Sequence, residues 1–146
     1  MTETGVRQTI GVSLVLAHLI VMGLLFVLFV LNGFTFDELT TAIAIISPMF
    51  AVYTTGIVRY IIDSRSLPKM EEGPVRGSFV FLSFLMAFLF TAALVSMVLL
   101  KAFNMAFSNF EQFKHSLTII EIIFAVYVGQ IVGSLFKEAY SGGGAH

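Results

Sequence analysis

From Phe79 to Leu100 the chain reads FVFLSFLMAFLFTAALVSMVLL, without one charged residue. About 20 such residues wound as a helix cross the roughly 30 Å hydrocarbon core of a bilayer. A soluble helix of that length needs a polar face toward water, and none can be drawn here. Three further runs share the character. Ile10 to Leu31 contains His18, Leu39 to Ile62 is interrupted by Pro48 and Arg59, and Leu117 to Phe136 contains Glu121. The expected fold is all-α: a polytopic membrane protein with four transmembrane helices, spans about 9–32, 38–63, 78–101 and 116–137, in one domain over residues 1–140.

Composition points the same way. Of the 146 residues, 58% are hydrophobic and 12% charged, against roughly 25% charged in a soluble domain. The formal net charge of −1 implies no bulk attraction to nucleic acid. The absence of cysteine excludes disulfides, thiolate metal sites and Cys nucleophiles. The first run is too long for a cleaved leader, and Asn32 and Gly33 follow it instead of a small-residue cleavage site. The tail 141–146, Ser-Gly-Gly-Gly-Ala-His, reads as a linker or tag remnant.

Four spans place both termini on one side. That side carries Arg7, Arg59, Arg65, Lys69, Arg76 and Lys137, and the other only Lys101 and Lys114. The asymmetry predicts cytoplasmic termini and a multi-pass protein of a bacterial inner membrane. On the outer side, Thr35 is an expected N-cap with Glu38 three residues on. Residues 102–115 carry Phe103, Phe107, Phe110, Phe113 and Lys114 at helical spacing. They are expected to form an interfacial amphipathic segment, or extensions of the flanking helices, whose rings anchor in the headgroups or crown a ligand. On the inner side, Pro68, Gly73, Pro74 and Gly77 mark the flexible connector, where a regulatory partner could bind. Internal repeats are not evident, since Pro48 and Arg59 have no counterparts in the fourth run.

The second run holds the clearest pattern. At 100° per residue, Asp37, Thr41, Ala44, Pro48, Ala51, Thr55 and Arg59 fall on one narrow stripe, and every member is charged, hydroxylic, small or proline. Ile46, Met49, Phe50, Tyr53 and Ile57 occupy the opposite face. Two readings compete. Small residues let another helix approach closely, or the stripe lines a water-filled path with an acid at one mouth and an Arg at the other. Pro48 frees the carbonyl of Ala44, which Ser47 or Thr41 is placed to satisfy.

Three polar residues lie inside other spans. Glu121 is expected about 8 Å below the outer surface if its helix enters near Ser116. His18 and Gln130 lie at similar depth, so a neutral imidazole bonded to the amide competes with proton sensing. Ala125, Gly129 and Gly133 form a small-xxx-small run that suits close helix packing, within the chain or between copies.

No Ser-His-Asp arrangement, His-rich metal set or phosphate-binding glycine loop is present. The chain is therefore not expected to be an enzyme or to carry a cofactor or metal. The layout is similar to small oligomeric channels and to membrane-permeabilising effectors of bacterial defence operons, a likeness of plan and not of motifs. The first expectation is a homo-oligomeric ion channel lined by the second helix, because one bundle of this size cannot hold both a core and a channel. The alternatives are a non-conducting anchor or regulatory subunit for a partner, and a small proton-coupled transporter using Glu121.

Overall fold

The computed structural model describes residues 3–66 and 77–141. They form α1 (Glu3–Val30), α2 (Phe36–Ser66), α3 (Gly77–Ala102) and α4 (Phe110–Ser141), and no strand occurs among the described residues. Three helices contain segments long and apolar enough to cross a membrane: Thr9–Val30, Phe36–Gly56 and Val80–Ala102. The chain is a transmembrane protein by that measure. The first half of α4 carries Glu111, Lys114 and Glu121, which sets it apart from the other three. Its expected span, about 116–137, runs past Gly129, beyond which the side chains lie outside the described ones.

The helices stand at the corners of a square. α1 packs on α2 and α3, and α4 packs on the same two, so α1 lies diagonal to α4 and α2 diagonal to α3. His18 and Phe90 each precede their helix's end by the same number of residues, and their rings stack at 5.7 Å. The C-terminal ends of the two helices also meet, a Cβ added at Gly33 lying 3.0 Å from Ala102 Cβ, so α1 and α3 are parallel neighbours and the two hairpins lie side by side.

Each helix buries one stripe at three- and four-residue spacing. The stripes are Ile10, Leu14, His18, Val21, Leu25 and Leu28 on α1; Leu39, Ala42 and Ile46 on α2; Ser83, Ala87, Phe90, Leu94, Val98 and Lys101 on α3; Phe113, Leu117, Glu121 and Phe124 on α4. Between helices in lipid the gain is tight packing rather than escape from water. The rings of Phe90 and Phe124 stack at 3.4 Å across the α3–α4 contact.

The two hairpins turn alike. After α1, Asn32 takes φ 61°, with Asn32 N–H donating to Phe29 O at 2.9 Å and Gly33 N–H to Leu28 O at 2.8 Å. After α3, Asn104 takes φ 52°, with Asn104 N–H donating to Lys101 O at 3.0 Å and Met105 N–H to Leu100 O at 2.9 Å. Both are Schellman caps with asparagine in the left-handed position. Each hairpin then restarts on a similar pentapeptide, Thr35-Phe36-Asp37-Glu38-Leu39 and Asn109-Phe110-Glu111-Gln112-Phe113. Thr35 and Glu38 cap reciprocally, at 2.9 Å from Thr35 N–H to the carboxylate and 3.3 Å from Glu38 N–H to the hydroxyl. Asn109 accepts from Gln112 N–H at 3.0 Å. A local repeat therefore exists at the loop end, where sequence reading finds none, because it spares capping chemistry and not the landmarks Pro48 and Arg59.

Of the two arrangements expected over 102–115, the described residues form no separate helix between α3 and α4, and α4 extends back to Phe110. The left-handed Asn104 ends α3, and the cap on Asn109 begins α4 afresh. The aromatic residues of this segment turn inward. Phe113 is fully buried and meets Phe34 at 5.8 Å, Phe107 at 5.5 Å and Phe110 at 5.6 Å. Phe103 alone of this set is strongly exposed, at 66%.

Candidate functional site: the outward face of α2 and the polar core

α2 begins with three aids to a helix start. The Thr35–Glu38 box satisfies end amides, Asp37 and Glu38 sit in the first turn where the helix dipole favours anions, and Phe36 opens the apolar run. Glu38 also reaches across the diagonal to α3, where Lys101 Nζ lies 3.0 Å from its carboxylate. Lys101 is 9% exposed, and its ammonium stands 5.8 Å from the Phe34 ring centre and 5.9 Å from that of Phe110. This lysine is the one charged residue of α3, and through Glu38 it ties the two hairpins together. An open cleft of about 640 Å³ adjoins the pair, between Phe29, Asn32 and Asn104. The signal in the sequence was a lone Lys and a first-turn Glu at the same end of adjacent hairpins.

The stripe of α2 faces away from its own bundle. Asp37, Ala44, Pro48, Ala51 and Thr55 are exposed and Thr41 is half-buried, while Ile46 is fully buried and Met49 and Phe50 are half-buried. The exposed members of the stripe do not pack against another described helix of the chain. Arg59, Tyr53 and Ile57 have side chains outside the described ones. The hydroxyls nearby bond along the helix: Thr40 donates to Phe36 O at 3.0 Å, Ser47 to Ile43 O at 2.6 Å and Thr54 to Phe50 O at 2.8 Å. Ser47 thus satisfies the carbonyl of Ile43, not that of Ala44 as expected, and α2 runs through Pro48 unbroken.

The other three helices turn large apolar groups outward. Leu16, Ile20 and Phe26 on α1, Phe81 and Phe88 on α3, and Ile119 and Ile123 on α4 are all more than half exposed. Such faces suit acyl chains. Between Asp37 and Thr55 the outward face of α2 is the exception, with Val52 its one large exposed apolar residue among those described, while Phe36, Val58 and Ile62 are exposed towards the ends of the helix.

Inside the bundle, His18 has no exposure and donates Nδ1–H to Leu14 O at 2.9 Å. Its ring lies among those of Phe50 at 6.4 Å, Phe90 at 5.7 Å and Phe124 at 6.3 Å. The expected bond to Gln130 concerns a side chain outside the described ones. Glu121 lies eleven residues inside α4, about 16 Å along its axis. α4 begins at Phe110, six residues before the entry point expected near Ser116. The structure brings His18 and Glu121 to one depth, on opposite corners.

Ala125 is half-buried and Gly129 exposed; a Cβ added at Gly129 meets nothing within 4 Å. Among the described residues no helix uses that position for close approach, and the surroundings of Gly133 lie outside the described side chains. The close approach is at Gly33 instead, where a Cβ would come within 3.0 Å of Ala102 Cβ and 3.1 Å of Leu28 O. Outside the spans, Lys114 bonds Glu111 at 2.8 Å and holds that carboxyl below the usual glutamate range. No group of three or more His, Cys, Asp or Glu that could hold a metal occurs among the described residues. No family model, curated protein or solved structure matches the chain.

Proposed function

We propose that the chain is one subunit of a homo-oligomeric ion channel or pore, with four membrane-spanning helices and the outward face of α2 lining the path. The observation that carries this reading is the contrast of outward faces. Where α1, α3 and α4 offer Leu, Ile and Phe, α2 offers Asp37, Ala44, Pro48, Ala51 and Thr55. A polar, small-residue face at the edge of a bundle suits water or another copy, and a ring of copies supplies both. In this arrangement Asp37 forms an acidic ring at one mouth and Arg59 a basic one at the other. The short Asp side chain stays in the path while the long Arg can turn to the headgroups, so cations are favoured.

The chain has no native cysteine, which gives a clean test. Single cysteines at Thr41, Ala44, Ala51 and Thr55 are expected to react with water-soluble thiol reagents in membranes and to lose current on reaction. Cysteines at Ile20 and Phe88, equally outward but on α1 and α3, are expected to stay unreacted. Labelling at Ile20 and Phe88 with none along α2 removes the proposal.

A further inference from the structure

Glu121 sits on the core stripe of α4 between Leu117 and Phe124 and is 4% exposed. Among the described residues, neither of its carboxyl oxygens has a hydrogen-bond partner. Two glutamates nearer the loop end are served: Glu38 holds Lys101 at 3.0 Å and Glu111 holds Lys114 at 2.6 Å. An ionised carboxylate at Glu121 would have neither water nor a cation beside it, at a cost of several kcal/mol. Among the described side chains, the helices packed on α4 offer no remedy. α3 has no charged residue before Lys101, which is committed to Glu38. From Phe36 to Gly56, α2 carries Asp37 and Glu38 at the loop end and, deeper, only Tyr53, whose side chain lies outside the described ones. On α4 itself, Lys114 and His115 stand near the loop end and Tyr127 lies deeper than Glu121. On the diagonal, α1 presents His18 with Nδ1–H given to Leu14.

We propose that Glu121 is a proton-binding site inside the bundle, its carboxyl neutral while α4 is packed against α2 and α3 and closed to bulk water. Losing the proton leaves a charge that the packed core cannot hold, so the release of the proton requires α4 to part from its neighbours and admit water. The site stands whether or not the assembly conducts, because it rests on burial alone.

A carbodiimide reports such a group. A neutral carboxylic acid gives its proton to a carbodiimide nitrogen, its oxygen adds to the central carbon, and rearrangement leaves an N-acylurea with no leaving group. The full chain in bilayers is treated with dicyclohexylcarbodiimide or with a water-soluble carbodiimide, and adducts are mapped by mass spectrometry. The expected result is one adduct of the lipid-soluble reagent on Glu121, little from the water-soluble one, and none at this position in Glu121→Gln. The labelling rate should fall about tenfold for each pH unit above the titration of the group. Equal labelling by both reagents, or a rate on Glu121 that does not change with pH, overturns the proposal. The wild-type chain alone suffices for these outcomes, so a variant that fails to fold does not blunt the test, and a mass readout is independent of current.

Discussion

α2 and α3 stand on opposite corners of the same bundle and are tied to each other at the loop end by Glu38 and Lys101. Both bury a stripe of core residues, yet their outward faces differ. α3 shows Phe81, Leu82, Phe88 and Leu89, and α2 shows Asp37, Ala44, Pro48, Ala51 and Thr55. In water the outward face of a helix is polar by default, so it carries little information. In lipid the default is reversed, and a polar outward face needs a neighbour other than acyl chains. The difference between the two helices is thus the strongest functional signal in the chain.

The largest effect is expected from placing one charge on each face. Phe88→Arg puts a guanidinium mid-span toward lipid and should cost about 3 kcal/mol of insertion free energy. Ala51→Arg should cost far less if its face meets water in an assembly. The inserted fraction of each variant checks this, and equal penalties would erase the contrast between α2 and α3.

A smaller effect concerns what the two helices share. Lys101→Ala removes the partner of Glu38 and the cation beside Phe34 and Phe110, with an expected loss of about 2 kcal/mol in unfolding measured in detergent or bilayers. Lys101→Arg should recover part of it, and an unchanged transition in Lys101→Ala would mean that the diagonal tie contributes nothing. The smallest effect on the bundle is expected at Gly129. Gly129→Leu has open space around it, so thermal unfolding of the dissociated bundle should move by less than about 0.5 kcal/mol. Cross-linked oligomer should nevertheless diminish if α4 also meets a second copy. A destabilised bundle would place an unseen contact within the chain.

Several features were legible because they are local. The charge-free run at 79–100 and its companions announce membrane helices by length alone, and three were found near the expected bounds. Thr35 and Glu38 announced their capping box, which needs only a hydroxyl and a carboxylate three residues apart. The polar stripe of α2 was likewise visible from its periodicity. Of the two readings of the connector after α3, periodicity alone could not choose, because Phe103, Phe107 and Phe110 recur at helical spacing while the left-handed Asn104 ends the helix between them and α4 reaches back to Phe110. Asparagine has the same letter in a helix and in a cap.

Order along the chain therefore decides that this is a membrane protein of long apolar helices, where its hairpins start and stop, and that its second helix is unlike the rest. The tertiary structure alone decides which side of each helix is the inside. The physical reason is that Leu, Ile and Phe serve equally well against lipid and against a neighbouring helix, so α1 and α3 carry no period that separates their buried stripes from their exposed ones. Only the packing on the square shows that Lys101 meets Glu38, that His18 lies among Phe50, Phe90 and Phe124, that Glu121 is enclosed, and that the stripe from Asp37 to Thr55 is turned outward.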